Sequence, residues 1–158
     1  MTDSAHILTE IRDNIVKRDA IKAQLVLDYL ENVDQAVREQ VIEAFASAPP
    51  DFAVSILAAF AEKRADLAAG LPLVREVLAI KILAMPELVP RALRAPQTPG
   101  RQTIIGLAGE LRLEGVAPDL IEVLMSATDV DDIRQCIDVL GDIGDPQATN
   151  SLSDFLYS

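Results

Sequence analysis

GDIGDPQATNSL, residues 141–152, sets two glycines three apart, follows them with Asp-Pro, and then begins another apolar run. Upstream of it Ile133, Ile137, Leu140 and Ile143 recur at spacings of three and four, one apolar stripe along a helix. Gly144 ends that helix, because glycine takes the left-handed conformation past a helix terminus without a Cβ clash. Asp145 then serves as N-cap, and Pro146 fits the first helical position, where its missing N–H is not needed. Ala148, Leu152, Phe155 and Leu156 form the stripe of the helix that follows. The stretch is therefore the corner of an antiparallel helical hairpin of about 28 residues.

One hairpin cannot bury its own faces, so copies of it are expected elsewhere in the chain. Segments starting at Ile11 (IRDNIVKRDA), Val37 (VREQVIEAFA), Val74 (VREVLAIKIL), Gly100 (GRQTIIGLAG) and Ile133 (IRQCIDVLGD) each open with a small or apolar residue and then arginine. Arg12, Arg38, Arg75, Arg101 and Arg134 are separated by 26, 37, 26 and 33 residues. The irregularity falls in the connections, such as KRADLAAGLP at 63–72, as it does when insertions are confined to loops. The five arginines are expected to serve the architecture, packing their stems and hydrogen-bonding carbonyls or acids of a neighbouring repeat.

The pattern of apolar-Arg, apolar stripe, Leu-Gly-x-Ile-Gly-Asp-Pro, Ala and a second stripe resembles the short HEAT repeat, also called the phycobilisome-lyase HEAT-like repeat. It is carried best by residues 130–157 and by LAGELRLEGVAPDLIEVL, which keeps Gly109, Ala117, Pro118 and Leu124. The first hairpin lacks the Gly-Asp-Pro turn and has Lys17, Arg18 and Asp19 at its corner. The resemblance implies an all-α fold, a right-handed α-solenoid of about five helical hairpins, with first helices on the convex side and second helices on the concave side. The expected organisation is one repeat domain over 1–158, with repeats at 4–31, 34–63, 72–95, 100–127 and 130–157. Helices are expected at 4–16, 19–31, 34–46, 51–63, 72–84, 86–95, 101–113, 117–127, 130–143 and 147–157.

The second helices align on Leu30, Phe60, Leu93, Leu124 and Leu156 as their last core residue. Two residues earlier lies a row expected to face solvent: Asp28, Ala58, Arg91, Glu122 and Asp154. Six earlier lie Gln24, Val54, Glu87, Pro118 and Asn150, and five earlier Leu25, Ser55, Leu88, Asp119 and Ser151. If a concave face holds a partner, Asp28, Arg91, Asp119, Glu122, Asn150 and Asp154 are the side chains that touch it. The same rows are equally read as the wet sides of amphipathic helices.

Length and composition agree with a helical scaffold. A chain of 158 residues buries about two-thirds of its unfolded surface. Half of its residues are apolar, only 4% are aromatic and none is Trp, a mixture suited to helices packed through Ala, Leu, Ile and Val. The formal charge of −11 repels phosphate backbones and anionic lipid, so no nucleic-acid or membrane partner is expected. The acidity is polarised: residues 110–158 hold 11 acids against Arg112 and Arg134. That half could attract a basic segment of a partner, although solubility and helix capping explain the same acids. A single cysteine, an N-terminus without a basic-then-apolar leader and the absence of a long apolar run point to the cytoplasm.

No catalytic constellation emerges. DVDDIR at 129–134 has Arg134 where a calcium loop needs glycine and is better read as a helix N-cap. His6 has no second ligand at metal-binding spacing, and GLAGELRLEG at 106–115 lacks both the strand and the Lys-Ser/Thr of a phosphate loop, so it reads as close helix packing. Cys136 lies among small core residues without a histidine to activate it. The expectation is a non-enzymatic protein-interaction scaffold or adaptor, without metal or cofactor, monomeric or weakly dimeric. The alternatives are an accessory enzyme subunit resembling the HEAT-like bilin lyase subunits and, less favoured, a nucleic-acid binder resembling HEAT-like DNA glycosylases.

Overall fold

The computed structural model describes residues 4–144, and every regular element among them is helical. Backbone contacts divide the chain into two compact units, Met1–Met85 and Pro86–Ser158. The third hairpin expected from the sequence, 72–95, is divided between them.

The first unit contains α1 (Ser4–Val16), α2 (Ala20–Asp28), α3 (Gln35–Ala44), α4 (Pro50–Lys63), α5 (Ala65–Ala69) and α6 (Pro72–Ala84). Its helix starts are written in side chains. Asp19 accepts from the backbone N–H of Lys22 at 3.1 Å, and Asp34 from that of Val37 at 3.0 Å. Pro50 and Pro72 occupy the first turns of α4 and α6, where a missing N–H costs nothing. Two ends tighten into 3₁₀ turns, Tyr29–Asn32 after α2 and Phe45–Ser47 after α3, which shortens the α-helices expected at 19–31 and 34–46. The connection at 63–72 is itself partly helical, since α5 forms within it. This short helix buries no residue, so no apolar stripe announces it.

Packing in this unit is two-layered. α1 lies on α3 and α3 on α6, while α2 lies on α4; α1 also packs on α2, and α4 packs closely along α6. Ile11, Leu27, Leu30, Ile42, Phe45, Ile56, Leu57, Phe60, Leu78 and Ile82 are fully buried. Each contributes about 1.5–3 kcal/mol relative to exposure. Phe45 and Phe52 stack with ring centroids 6.5 Å apart. One charged group enters this core: Lys81, 9% exposed, donates through Nζ to the carbonyls of Ala46 at 2.8 Å and Ala48 at 2.7 Å. It thereby satisfies the carbonyls left open where the 3₁₀ turn after α3 ends. Asn14 is also buried, and its Nδ2 has no hydrogen-bond partner.

The second unit contains α7 (Leu88–Arg94), α8 (Arg101–Glu110), α9 (Ala117–Ser126) and α10 (Val130–Ile143). Here α7 lies on α9 and α8 on α10, with α7 also against α8 and α9 against α10, the same alternation of layers. Val89, Leu93, Ile104, Ile105, Leu120, Leu124, Val139, Leu140 and Ile143 form the core. The α8–α10 seam is close at Gly109, where a Cβ would stand 3.3 Å from the Val139 Cα and 3.1 Å from Asp142 Oδ2. Asp129 caps α10 by accepting from the N–H of Asp131 at 2.9 Å. Gly144 ends it in the left-handed conformation, φ 71°. Asp145 and Pro146 of the corner motif lie outside the described residues.

Candidate partner-binding surface

Of the last core residues on which the second helices align, Leu30, Phe60, Leu93 and Leu124 are buried, and Leu156 lies outside the described residues. The row two residues earlier is not uniform. Ala58 is completely buried, because α4 is packed against α2, α5 and α6 and keeps little free surface. Asp28, in contrast, is half-exposed on α2 and accepts from Lys63 Nζ at 3.2 Å. Gln24, four residues before it, donates to the Ile56 carbonyl at 3.2 Å and so ties α2 to α4.

In the second unit Arg91 and Glu122 are exposed on α7 and α9, which pack together. Asp119 lies in the first turn of α9, where a carboxylate is favoured by the helix dipole, and accepts from Arg94 Nη2 at 2.9 Å. Arg91, Arg94, Asp119 and Glu122 therefore occupy one pair of neighbouring helices. Asn150 and Asp154 lie outside the described residues.

Arg38 and Arg101, two of the repeat arginines, share one device. Arg38 donates through Nε to the Leu30 carbonyl at 2.8 Å and through Nη2 to the Glu31 carbonyl at 3.2 Å. Arg101 donates through Nε to the Ala92 carbonyl at 2.9 Å and through Nη2 to the Leu93 carbonyl at 3.3 Å. In both cases an arginine at the start of one helix bonds two successive carbonyls at the end of the preceding one. Arg101 adds an ion pair with Asp132, Nη1 to Oδ1 2.9 Å. Arg12, Arg75 and Arg134 are exposed.

Cys136 is buried beside this pair. Burial first, and the Asp132 carboxylate second, push its thiol up to about 11, against a smaller opposing effect of Arg101. A thiol so placed is protonated at neutral pH and is not a nucleophile. His6 pairs with Glu10 at 3.6 Å on the surface of α1. Among the described residues no group of three His, Cys, Asp or Glu side chains is placed to hold a metal, and no helix is long and apolar enough to cross a membrane.

Two concavities were not legible in the sequence. One of about 500 Å³ in the second unit is lined by Pro86, Glu87, Pro90 and the loop Arg112–Val116. Its floor turns at Arg112, a non-glycine residue with φ 51°. The other, about 290 Å³, lies between α1 and α2 and is lined by His6, Ile7, Glu10, Leu25, Val26 and Tyr29. The described residues form an all-helical protein; protein-family models, curated proteins and solved structures give no match to the chain.

Proposed function

We propose that the chain is a HEAT-like α-solenoid, about ten helices in five hairpins, working as a non-enzymatic scaffold or adaptor. Its second helices form a concave face that holds a partner protein through a basic segment. The observation that most supports this reading is a set of links between positions one repeat apart. Gln24 reaches Ile56, Asp28 reaches Lys63, Glu31 reaches Arg64 and Ala46 reaches Lys81, at separations of 32, 35, 33 and 35 residues. In the second unit Arg101 reaches Asp132 and Gln102 reaches Gln135, at 31 and 33. Contacts that recur at one period are what stacked repeats produce, each touching its neighbours. Extended surfaces of this kind suit contact with another chain, and the acids of α9 and α10 suit a cationic one.

The test is affinity capture followed by mass spectrometry, with the wild type beside a Glu122→Lys/Asp154→Lys variant whose folding is checked by circular dichroism. The variant is expected to lose the partners that the wild type enriches. Equal capture by both proteins would remove this face from consideration.

A further inference from the structure

Between the end of α1 and the turn joining α3 to α4 lies a concavity of about 360 Å³. Its polar side chains are Arg12, Arg18 and Ser47, and its apolar ones Ile15, Val16, Ala44 and Pro49. In a chain of formal charge −11, this lining holds two cations and no acid.

Neither guanidinium is engaged by the fold. Among the described residues Arg12 makes no hydrogen bond or ion pair. Arg18 Nη1 stands 3.7 Å from Asp51 Oδ2, beyond hydrogen-bond reach. Arg38, Arg64, Arg94 and Arg101, by contrast, all donate to carbonyls or carboxylates. A third cation stands on the inner side of the same turn. Ser47 and Pro49 alternate along the chain with Ala46 and Ala48, whose carbonyls hold the buried Lys81 ammonium, and Lys81 meets no carboxylate among the described residues. A charge this deep is screened less by salt than a surface one, so it raises the potential of the turn that walls the concavity. Pro49 also leaves the first turn of α4 without a side-chain cap, and its N–H groups favour negative charge at this corner.

We infer that this corner is an anion site whose ligand is a phosphate monoester on a small apolar carrier. Two guanidinium forks match a group with about two negative charges and three acceptor oxygens. A carboxylate, with one charge and one edge, fills only one of them. Ile15, Val16, Ala44 and Pro49 supply contact for the carrier, and the volume falls in the range of small-molecule sites. Of the acids at this corner, Asp13 is paired with Lys17 at 3.1 Å, and Asp51 is the one the ligand displaces from Arg18. A nucleic-acid backbone fits less well, because its run of charges meets the acidic surface beyond the corner, whereas a single phosphate is screened from acids more than about 8 Å away. The site shares no residue with the partner surface proposed above and does not depend on it.

The test is a heteronuclear NMR titration of the full chain with two monoesters, phenyl phosphate and a short leucine-flanked phosphoserine peptide, beside phenyl sulfate and the unphosphorylated peptide. Saturable shifts confined to residues 12–18 and 44–52 are expected with a monoester, and binding at least about tenfold weaker with the two controls. Arg12→Gln and Arg18→Gln are each expected to weaken the phosphate about tenfold. Because loss of binding also follows from misfolding, Asp51→Asn supplies a gain: it frees Arg18 and is expected to tighten the phosphate severalfold. Tighter binding of the peptide assigns the phosphate to a side chain of a partner protein, and tighter binding of phenyl phosphate assigns it to a small molecule. The proposal is overturned if neither monoester gives saturable shifts at millimolar concentration, if phenyl sulfate binds equally, or if both glutamines and Asp51→Asn leave binding unchanged. Binding to phosphatidic-acid vesicles without binding of either soluble monoester overturns it in favour of a membrane.

Discussion

Nη1 of Arg101 lies 2.9 Å from Oδ1 of Asp132, while the same guanidinium reaches the carbonyls of Ala92 and Leu93. One side chain, 11% exposed, therefore joins the end of α7, the start of α8 and the first turn of α10. Arg101→Ala is expected to destabilise the protein by about 2–3 kcal/mol in urea unfolding, since it removes the guanidinium from the Leu93 carbonyl and a half-buried carboxylate and leaves the Ala92 carbonyl with the Ala95 N–H alone. Arg101→Lys should recover only part of this, because an ammonium cannot reproduce the planar fork. Arg38, with two carbonyl bonds and no such ion pair, is expected to cost less.

Gly106 and Gly109 sit on the same helix and should respond in opposite directions to alanine. Nothing lies within 4 Å of a Cβ built at Gly106, so Gly106→Ala is expected to stabilise by about 0.5–1 kcal/mol through helix propensity. At Gly109 the Cβ meets backbone, the Val139 Cα, at 3.3 Å, and α10 must move away from α8. Gly109→Ala is expected to cost about 1–3 kcal/mol. Thermal melts of the two variants decide it.

Arg18 and Arg112 hold the left-handed conformation at φ 52° and 51°, which costs about 1–2 kcal/mol for a residue with a Cβ. Arg112→Gly is expected to recover about 1 kcal/mol in denaturant midpoint, and Arg18→Gly somewhat less, because it also removes the contact with Asp51.

Cys136 gives the protein a pH dependence on the alkaline side. Its thiol titrates at about 11 when folded and near 9.0 when free, so between those values the unfolded chain has released a proton that the folded chain retains. The contribution is complete below pH 9 and declines as pH rises towards 11, by on the order of 2 kcal/mol at its fullest. Comparison of unfolding at pH 8 and pH 10.5 is expected to show a steeper loss in the wild type than in Cys136→Ala.

Much of the fold could be read before any coordinates. Helices expected at 4–16, 72–84 and 130–143 coincide with α1, α6 and α10; the last two are bounded by explicit signals, Pro72 in a first turn and Asp129 and Gly144 at the two ends, whereas the left-handed turn at Arg18 after α1 has no mark in the sequence. What escaped reading has physical reasons. α5 buries nothing, so it has no stripe, and the 3₁₀ turns share the composition of the helices they end. Ala58 is small and neutral and carries no mark of the helices around it. Lys81 looks like any surface lysine in VLAIKILAM, and only the arrangement of α3 and α6 turns it inward. Of the proposed partner residues, Arg91, Asp119 and Glu122 fall on neighbouring helices, yet an amphipathic pattern says only that they are wet, not what touches them.

Lys81 has one more implication. An amine enclosed between two main-chain oxygens is out of reach of acylating reagents while α6 stays seated on the turn after α3. Its rate of labelling, set against that of the other lysines, becomes a clock for the breathing of that seam, and any acetyl group found on it in cells would report a molecule caught partly open.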